Sequence, residues 1–439
     1  MLARLLVQRD IDSFEKAKQF FRPELDQLHD PFLMKDMRLA VERLERAFEK
    51  KENILVYGDY DVDGTTAVSL LYSFIRSFYD NVATYIPDRY KEGYGISFEG
   101  IDFASDNDID LIIALDCGIK AVDKVAYAGE KGIDFIICDH HRPGKDLPKA
   151  AAVLDPKRSD CDYPYKELCG CGIGFKLIQA LSQKMKMGGI HLESYLDLVA
   201  AAIAADIVPI TGENRILAFY GLRVINQGPR PGIKALIGHM KKESLNITDV
   251  VFTIAPRINA AGRMRHGQFA VDLLTEEDPQ RAAEIASQID LHNTERKVLD
   301  KSITEEALSQ IADNDETQNF TTVVYNEKWH KGVIGIVASR LIEKFYRPTL
   351  VFTKSGSKMT GSARSVRGFD VYGALDQCSD LIDQFGGHKY AAGLTLDPEN
   401  YLAFKQRFEE VVRSSIPEEA RTPRIRVDSK VELSDLPPY

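Results

Sequence analysis

Five short apolar runs, NILVYG, VATYIP, DLIIALDCG, DFIICDHH and AAVLDP, occur between residues 53 and 156 and constrain the fold more than any other feature. Stretches of helical period, such as TTAVSLLYSFIRSF and AVDKVAYAGEKG, separate several of them. Strands alternating with helices imply a parallel sheet covered on both faces. Such sheets bind ligands beyond the carboxyl ends of their strands.

The rest of the chain sorts around that block. Residues 1–50 read as helices with charged faces, and residues 51–235 as the α/β domain. The run YLDLVAAAIAADIVPI is a buried helix that stops near Pro209. Residues 236–315 form a helical connector that includes a long, polar helix. A second, smaller α/β domain spans 316–416, carrying TTVVYNEKW, GVIGIVASRLIEKF, PTLVFTKS and FGGHKYAAGLTL. From 417 to 439 the text reads as a linker and the first strand of a further unit. No apolar run is long enough for a membrane helix. The N-terminus lacks the pattern of a signal peptide. Six Cys in 439 residues make no disulfide framework, so a reducing cytoplasm is expected. The net charge of −10 argues against a basic coat for nucleic acid. An enzyme that grips a few phosphates through cations and local arginines is compatible with it.

The chemistry sits at the strand ends. In GDYDVDGTT the acids Asp59, Asp61 and Asp63 follow an apolar strand, Gly64 permits a turn, and Thr65 or Thr66 can cap the next helix. Alternate acids on an extended backbone share a face, so Asp59 and Asp61 both face the site. Carboxylates at this density repel one another unless a cation compensates them. Oxygen donors in such number suit manganese or magnesium. One acidic turn is common. Here LIIALDCG also ends on Asp116, and FIICDHH on Asp139, His140 and His141. Asp206 closes the apolar helix AAAIAADIVP, where a bound cation would relieve its conflict with the helix dipole. Cys117 and Cys138 read as packing residues. Cys169 and Cys171 in CGCG lack zinc partners at suitable spacing.

As a set, GDYDVDG, LDCGI, CDHH and AADIVP resemble the successive motifs of the DHH phosphoesterases. The segments APRINAAGRM, WHKGVIGIVASRL, GSARS and FGGHKYAAG resemble the RecJ single-strand DNA exonucleases within that superfamily. The resemblance implies a metal-bearing domain joined by a long helix to a DHH-associated domain, with a cleft between them. It implies two divalent cations, Mn2+ or Mg2+. Asp59 and Asp116 would hold one, and Asp61, Asp116, His140 and Asp206 the other, with Asp116 bridging. Asp63, Asp139 and His141 would orient these ligands, and the sequence does not decide whether His141 also ligates. Two cations about 3.5–4 Å apart can activate a shared water for in-line attack on phosphorus, with no protein nucleophile. Arg257, Asn259, Arg263, Ser362, Arg364, Gly387 and His388 are the candidates for contacting substrate phosphates. Gly386 and Gly387 would leave backbone N–H groups open to an anion. Tyr94 offers a stacking face or packing, while Trp329 and His330 serve as anchors.

RecJ proteins usually continue into an oligonucleotide-binding barrel, so this chain is expected to be trimmed or naturally short. The implied activity is exonucleolytic cleavage of single-stranded DNA, 5′ to 3′, in repair and recombination. A monomer with no membrane association is expected, with single-strand-binding protein and a helicase as possible partners. Two alternatives compete: a phosphodiesterase for nano-RNA or small nucleotides, and an inactive scaffold of the same fold. The PRINAAGR and WHKGVIGI segments weigh against the first. Retention of all five ligands weighs against the second.

Overall fold

The structure, a computed structural model, describes residues 2–431 except 190, 239 and 426. It contains two compact units. The larger is Leu6–Asn293, and the second is built from Thr294 onward, joined by the first few residues of the chain.

In the larger unit the five apolar runs become strands β1 (Ile54–Gly58), β2 (Val82–Tyr85), β3 (Leu111–Leu115), β4 (Asp134–Cys138) and β5 (Ala152–Leu154). They form one sheet in the order β2-β1-β3-β4-β5, and every pairing is parallel. Successive side chains alternate between two cores. Ile54, Val56, Leu111, Ile113, Leu115, Ile136 and Cys138 pack with helices on one face. Leu55, Tyr57, Ile112, Ala114, Phe135 and Ile137 pack on the other. Both faces are covered, which is why these strands read as continuous apolar runs. The order reverses beside β1, with β2 on one side and β3 on the other. A topological switch point therefore opens between the carboxyl ends of β1 and β3.

The run around residue 200 is the helix Leu196–Asp206, apolar and buried almost throughout. The polar helix Pro279–Asp313 has 35 residues. At 1.5 Å per residue it is about 52 Å long. The boundary between the units falls within it.

The second unit holds a mixed sheet of β6 (Thr322–Tyr325), β7 (Thr349–Ser355), β8 (Lys358–Arg364), β9 (Gln384–His388) and β10 (Ala391–Leu396). Their order is β6-β7-β8-β10-β9. Only β6 and β7 pair in parallel, and the helix Ile334–Phe345 lies between them in the chain. The helix Tyr401–Ser415 buries Phe404, Phe408 and Val412 in this unit's core. Among the described residues after 417 no strand forms, and residues 426 and 432–439 of that expectation lie outside the described residues.

Candidate metal centre

The chain leaves β1 at Gly58 and begins the helix Val62–Arg76 after Asp59, Tyr60 and Asp61. Asp61 is the N-cap, its carboxylate accepting the Gly64 N–H at 3.0 Å. The cap thus falls on the acid and not on a threonine. Thr65 and Thr66 lie inside the first turns, where their hydroxyls donate to the carbonyls of Asp61 and Val62, each at 2.6 Å. Gly64 serves close approach, not a turn. A Cβ there would lie 2.4 Å from the Asp59 carbonyl oxygen. Asp63 is buried in the first turn and accepts the N–H groups of Gly170 (2.6 Å) and Cys171 (2.7 Å). Those donors open the helix Gly170–Lys184, where a carboxylate is favoured.

Asp116 follows β3 in the left-handed region at φ +58°. One carboxylate oxygen, Oδ1, lies 3.1 Å from His140 Nε2. His140 Nε2 is also 3.7 Å from Asp206 Oδ2 and 3.8 Å from Asp63 Oδ2. Donor atoms of Asp63, His140 and Asp206 all lie within 4.8 Å of one another, as do those of Asp116, His140 and His141. Asp139 is tied down separately. Its carboxylate accepts the N–H groups of Ile119, His140 and His141 and faces His141 Nδ1 at 2.7 Å. The Tyr94 hydroxyl donates to the Asp116 carbonyl and lies 3.2 Å from His141 Nε2.

Burial pushes the carboxyl groups of Asp59, Asp63 and Asp116 well above their usual range, and neighbouring acids push them further. Burial, then Asp61, raises Asp206 to about 6. The histidines diverge. Burial, helped by His141, lowers His140 to about 3, so it is neutral at pH 7. Burial opposes charge on His141, but the bond to Asp139 outweighs it and holds His141 at about 8. Asp59 Oδ2 and Asp116 Oδ1 are buried without a hydrogen-bond partner. Buried carboxylate oxygens of this kind call for a cation.

Among the described residues, the groups that could hold a metal contain no cysteine. Cys169 caps the helix Gly170–Lys184, and all six cysteines are buried. The phosphate candidates divide. Asn259 and Arg263 lie one turn apart on the helix Ala255–Met264 and share a face. Arg257, on the same helix, is engaged by Asp290 at 2.5 Å and by the Thr253 carbonyl at 2.9 Å. An ion pair thus accounts for part of its fork. In the second unit, Arg364 Nη1 donates to Ser362 Oγ at 3.1 Å. Gly387 and His388 belong to the edge strand β9, so the glycines do not form an open anion-binding loop. Gly387 sits at φ +145°, where a Cβ would come within 2.4 Å of the Ala391 carbonyl oxygen. Arg364 and His388 both register with Ala391, on the strands either side of β10. They therefore share a sheet face, with backbones about 10 Å apart. Trp329 anchors as expected, donating from Nε1 to Glu306 at 2.8 Å.

Two residues near the cluster escaped the sequence reading. Arg89 stands over the Tyr60 ring, 4.3 Å from its centroid, and its charge favours ionised Asp59. Asp155 is the fourth acid at a strand end, following β5 one rung beyond the Cys138–Leu154 pair. It is fully buried. One oxygen accepts the Lys157 N–H at 2.7 Å, and the other has no partner. Burial raises its carboxyl group to about 7. An acid whose folded pKa lies above its unfolded value takes up protons on folding, so its contribution to stability falls as pH rises from about 4 to about 7. Asp155→Asn removes that dependence. In chelator, the stability of the variant relative to the parent is expected to improve by about 2–4 kcal/mol between pH 4 and pH 8. Urea melts at the two pH values measure this, and a constant difference would refute it.

Comparison with known proteins agrees with this architecture. Residues 53–203 match the family described as "DHH family, N-terminal domain", and residues 316–414 match the "DHHA1 domain". The chain is 39% identical to the single-stranded-DNA-specific exonuclease RecJ of Bacillus subtilis, over 99% of this chain and 55% of that protein. It is 38% identical to RecJ of Salmonella typhimurium, over 85% of this chain and 68% of the relative. Among solved structures it resembles manganese-bound RecJ from Thermus thermophilus (30% identity, TM-score 0.81, 94% of this chain and 58% of that one). A second manganese-bound exonuclease RecJ matches at 32% identity and a TM-score of 0.78, over 91% of this chain and 98% of that one. The chain thus spans little more than half the length of the Bacillus relative. With both domains matched in order and this identity across two thirds of the Salmonella protein, the chain belongs to the RecJ family of DHH proteins.

Proposed function

We propose that this chain is a metal-dependent exonuclease that degrades single-stranded DNA from the 5′ end, serving DNA repair and recombination. The observation that carries this reading is the cluster at the switch point. There, Asp59 Oδ2 and Asp116 Oδ1 are buried without hydrogen-bond partners, and Asp116 Oδ1 lies 3.1 Å from the neutral imidazole of His140. The donor set is rich in oxygen and excludes the thiols, which suits Mn2+ or Mg2+. Asp59, Asp61, Asp116, His140 and Asp206 would hold two such cations, in keeping with the manganese-bound relatives. Bound cations supply Lewis acidity to phosphate oxygens and acidify water at neutral pH.

The protein's own groups prepare the site. Asp63 couples the Asp61 turn to the helix Gly170–Lys184. Asp139 fixes the backbone of both histidines and holds His141 protonated. A protonated His141 favours an orienting role, with His140 as the ligand. Arg89, Asn259 and Arg263 in the larger unit, and Ser362, Arg364 and His388 in the second, would contact phosphates. Segment 51–235 is assigned to catalysis and 316–416 to substrate binding, in line with the matched domains.

The test is degradation of end-labelled single-stranded DNA with manganese, in parallel with a short RNA, a cyclic dinucleotide and pyrophosphate. Mononucleotide release from DNA that disappears in Asp116→Ala is expected. Turnover of only a small substrate would sink the reading. A second readout is independent of activity. Manganese at 100 times its dissociation constant is expected to stabilise the wild-type protein by about 2.7 kcal/mol. The Asp116→Ala protein should lose most of that gain.

A further inference from the structure

We propose that Lys157 is a further substrate-contacting residue, its ammonium meeting a backbone phosphate next to the one being cut, and that Asp155 is the residue that positions it. The proposal rests on the nuclease reading above. Strand β5 runs parallel to β4, and the Asp139 N–H donates to the Leu154 carbonyl at 3.0 Å. The chain therefore leaves β5 at the same sheet edge as Asp139, His140 and His141. Pro156 restricts the next step. The buried Asp155 then accepts the Lys157 N–H at 2.7 Å, closing a side-chain turn, while its carbonyl accepts the Arg158 N–H at 3.3 Å. Both bonds return to Asp155, so the turn that carries Lys157 is closed at the sheet edge that bears Asp139.

Its side chain is committed to little. The nearest acid with which it pairs is Glu167 at 3.8 Å, with the two side chains 29% and 45% exposed. A long, partly exposed pair of this kind contributes little to stability. The ammonium is also among the charges that act on Asp206 and on His140. The charge of Arg89 acts likewise on Asp59. A strand of regularly spaced phosphates at the cluster would then have Arg89 and Lys157 as cationic partners. Lysine suits a single phosphate as a point charge on a flexible stem.

The test is steady-state degradation of single-stranded DNA at saturating manganese, across a salt series. Lys157→Gln is expected to raise KM about tenfold with kcat within about twofold. It should also flatten the log–log salt dependence of kcat/KM by about 0.7, the value for one single-strand phosphate contact. Lys157→Arg should restore most of both. Asp155→Ala should reproduce the Lys157→Gln effect, whereas Asp155→Asn keeps the acceptor for the Lys157 N–H and should leave KM near the parent value. An unchanged salt slope, or loss of kcat in step with loss of folded protein, would overturn the proposal. A wild-type chain inactive on single-stranded DNA would remove the nuclease reading and this proposal with it. An active wild type with an indifferent Lys157→Gln removes this one alone.

Discussion

Asp116→Asn is expected to lower single-turnover cleavage of single-stranded DNA by about 10³-fold or more while making the metal-free protein more stable. The two effects have one origin. The Asp116 carboxyl is fully packed, faces His140 at 3.1 Å, and is held well above its usual pKa by burial and by Asp63 and Asp61. Loss of a carboxylate that would hold both proposed cations would forfeit several kcal/mol of transition-state stabilisation, which is about three decades in rate. Without cations the same carboxylate is a cost. A raised folded pKa means that stability is lost as pH rises, so removing the ionisable group gains more at pH 8 than at pH 5. A gain of about 1–2 kcal/mol at pH 8 in chelator is expected. Asn tolerates the left-handed backbone at φ +58° as well as Asp does, so strain does not confuse the comparison. Single-turnover assays with manganese and urea melts in chelator measure the two halves. Retained activity would exclude Asp116 as a ligand. Lost activity with lost stability would make it a packing residue.

How far this site could be read from the sequence depends on what holds each residue. Asp59, Asp116 and Asp139 were legible because a parallel strand is apolar on both faces, so the first acid after it marks the carboxyl edge. Asp155 follows the same grammar in AAVLDP and was passed over, because a three-residue strand gives little pattern. Gly64 was read correctly as special and for the wrong reason. It lies in the first turn of a helix, and what demands glycine is the Asp59 backbone, five residues back across the strand-to-helix turn. The N-cap fell on Asp61 because the helix starts sooner than the Thr pair suggested. Arg257 looked equivalent to Arg263, yet Asp290, 33 residues away, engages it. Arg89 and Lys157 were invisible for the complementary reason. They sit in loops, and their positions depend on Tyr60 and on Asp155. The long helix and the order of the two sheet-bearing units followed directly from periodicity.

The second large effect is expected at a residue that ligates nothing. Gly170→Ala should weaken manganese binding and cut the cleavage rate about 10²-fold, at a stability cost of about 1–3 kcal/mol. A Cβ on Gly170 would lie 2.6 Å from Asp116 Cβ, 2.9 Å from its Cα and 2.9 Å from Oδ1. No rotamer relieves a clash with backbone and Cβ. Either Asp116 moves off the end of β3, or the helix Gly170–Lys184 backs away. The second escape stretches the N–H bonds from Gly170 and Cys171 to Asp63, now 2.6 and 2.7 Å. Each route displaces an acid of the cluster. Gly174, one turn further along the same helix, is the control. A Cβ there meets only the Leu115 side-chain methyl at 3.4 Å and Leu70 at 3.9 Å. Helix propensity then favours alanine by up to about 1 kcal/mol. Two Gly→Ala changes four residues apart should therefore shift the urea midpoint in opposite directions, and only Gly170→Ala should lower manganese affinity. Equal behaviour of the two variants would show that the helix start does not hold Asp116. The opposite signs would show that metal affinity here is set by how closely a backbone approaches the ligands as well as by the ligands themselves.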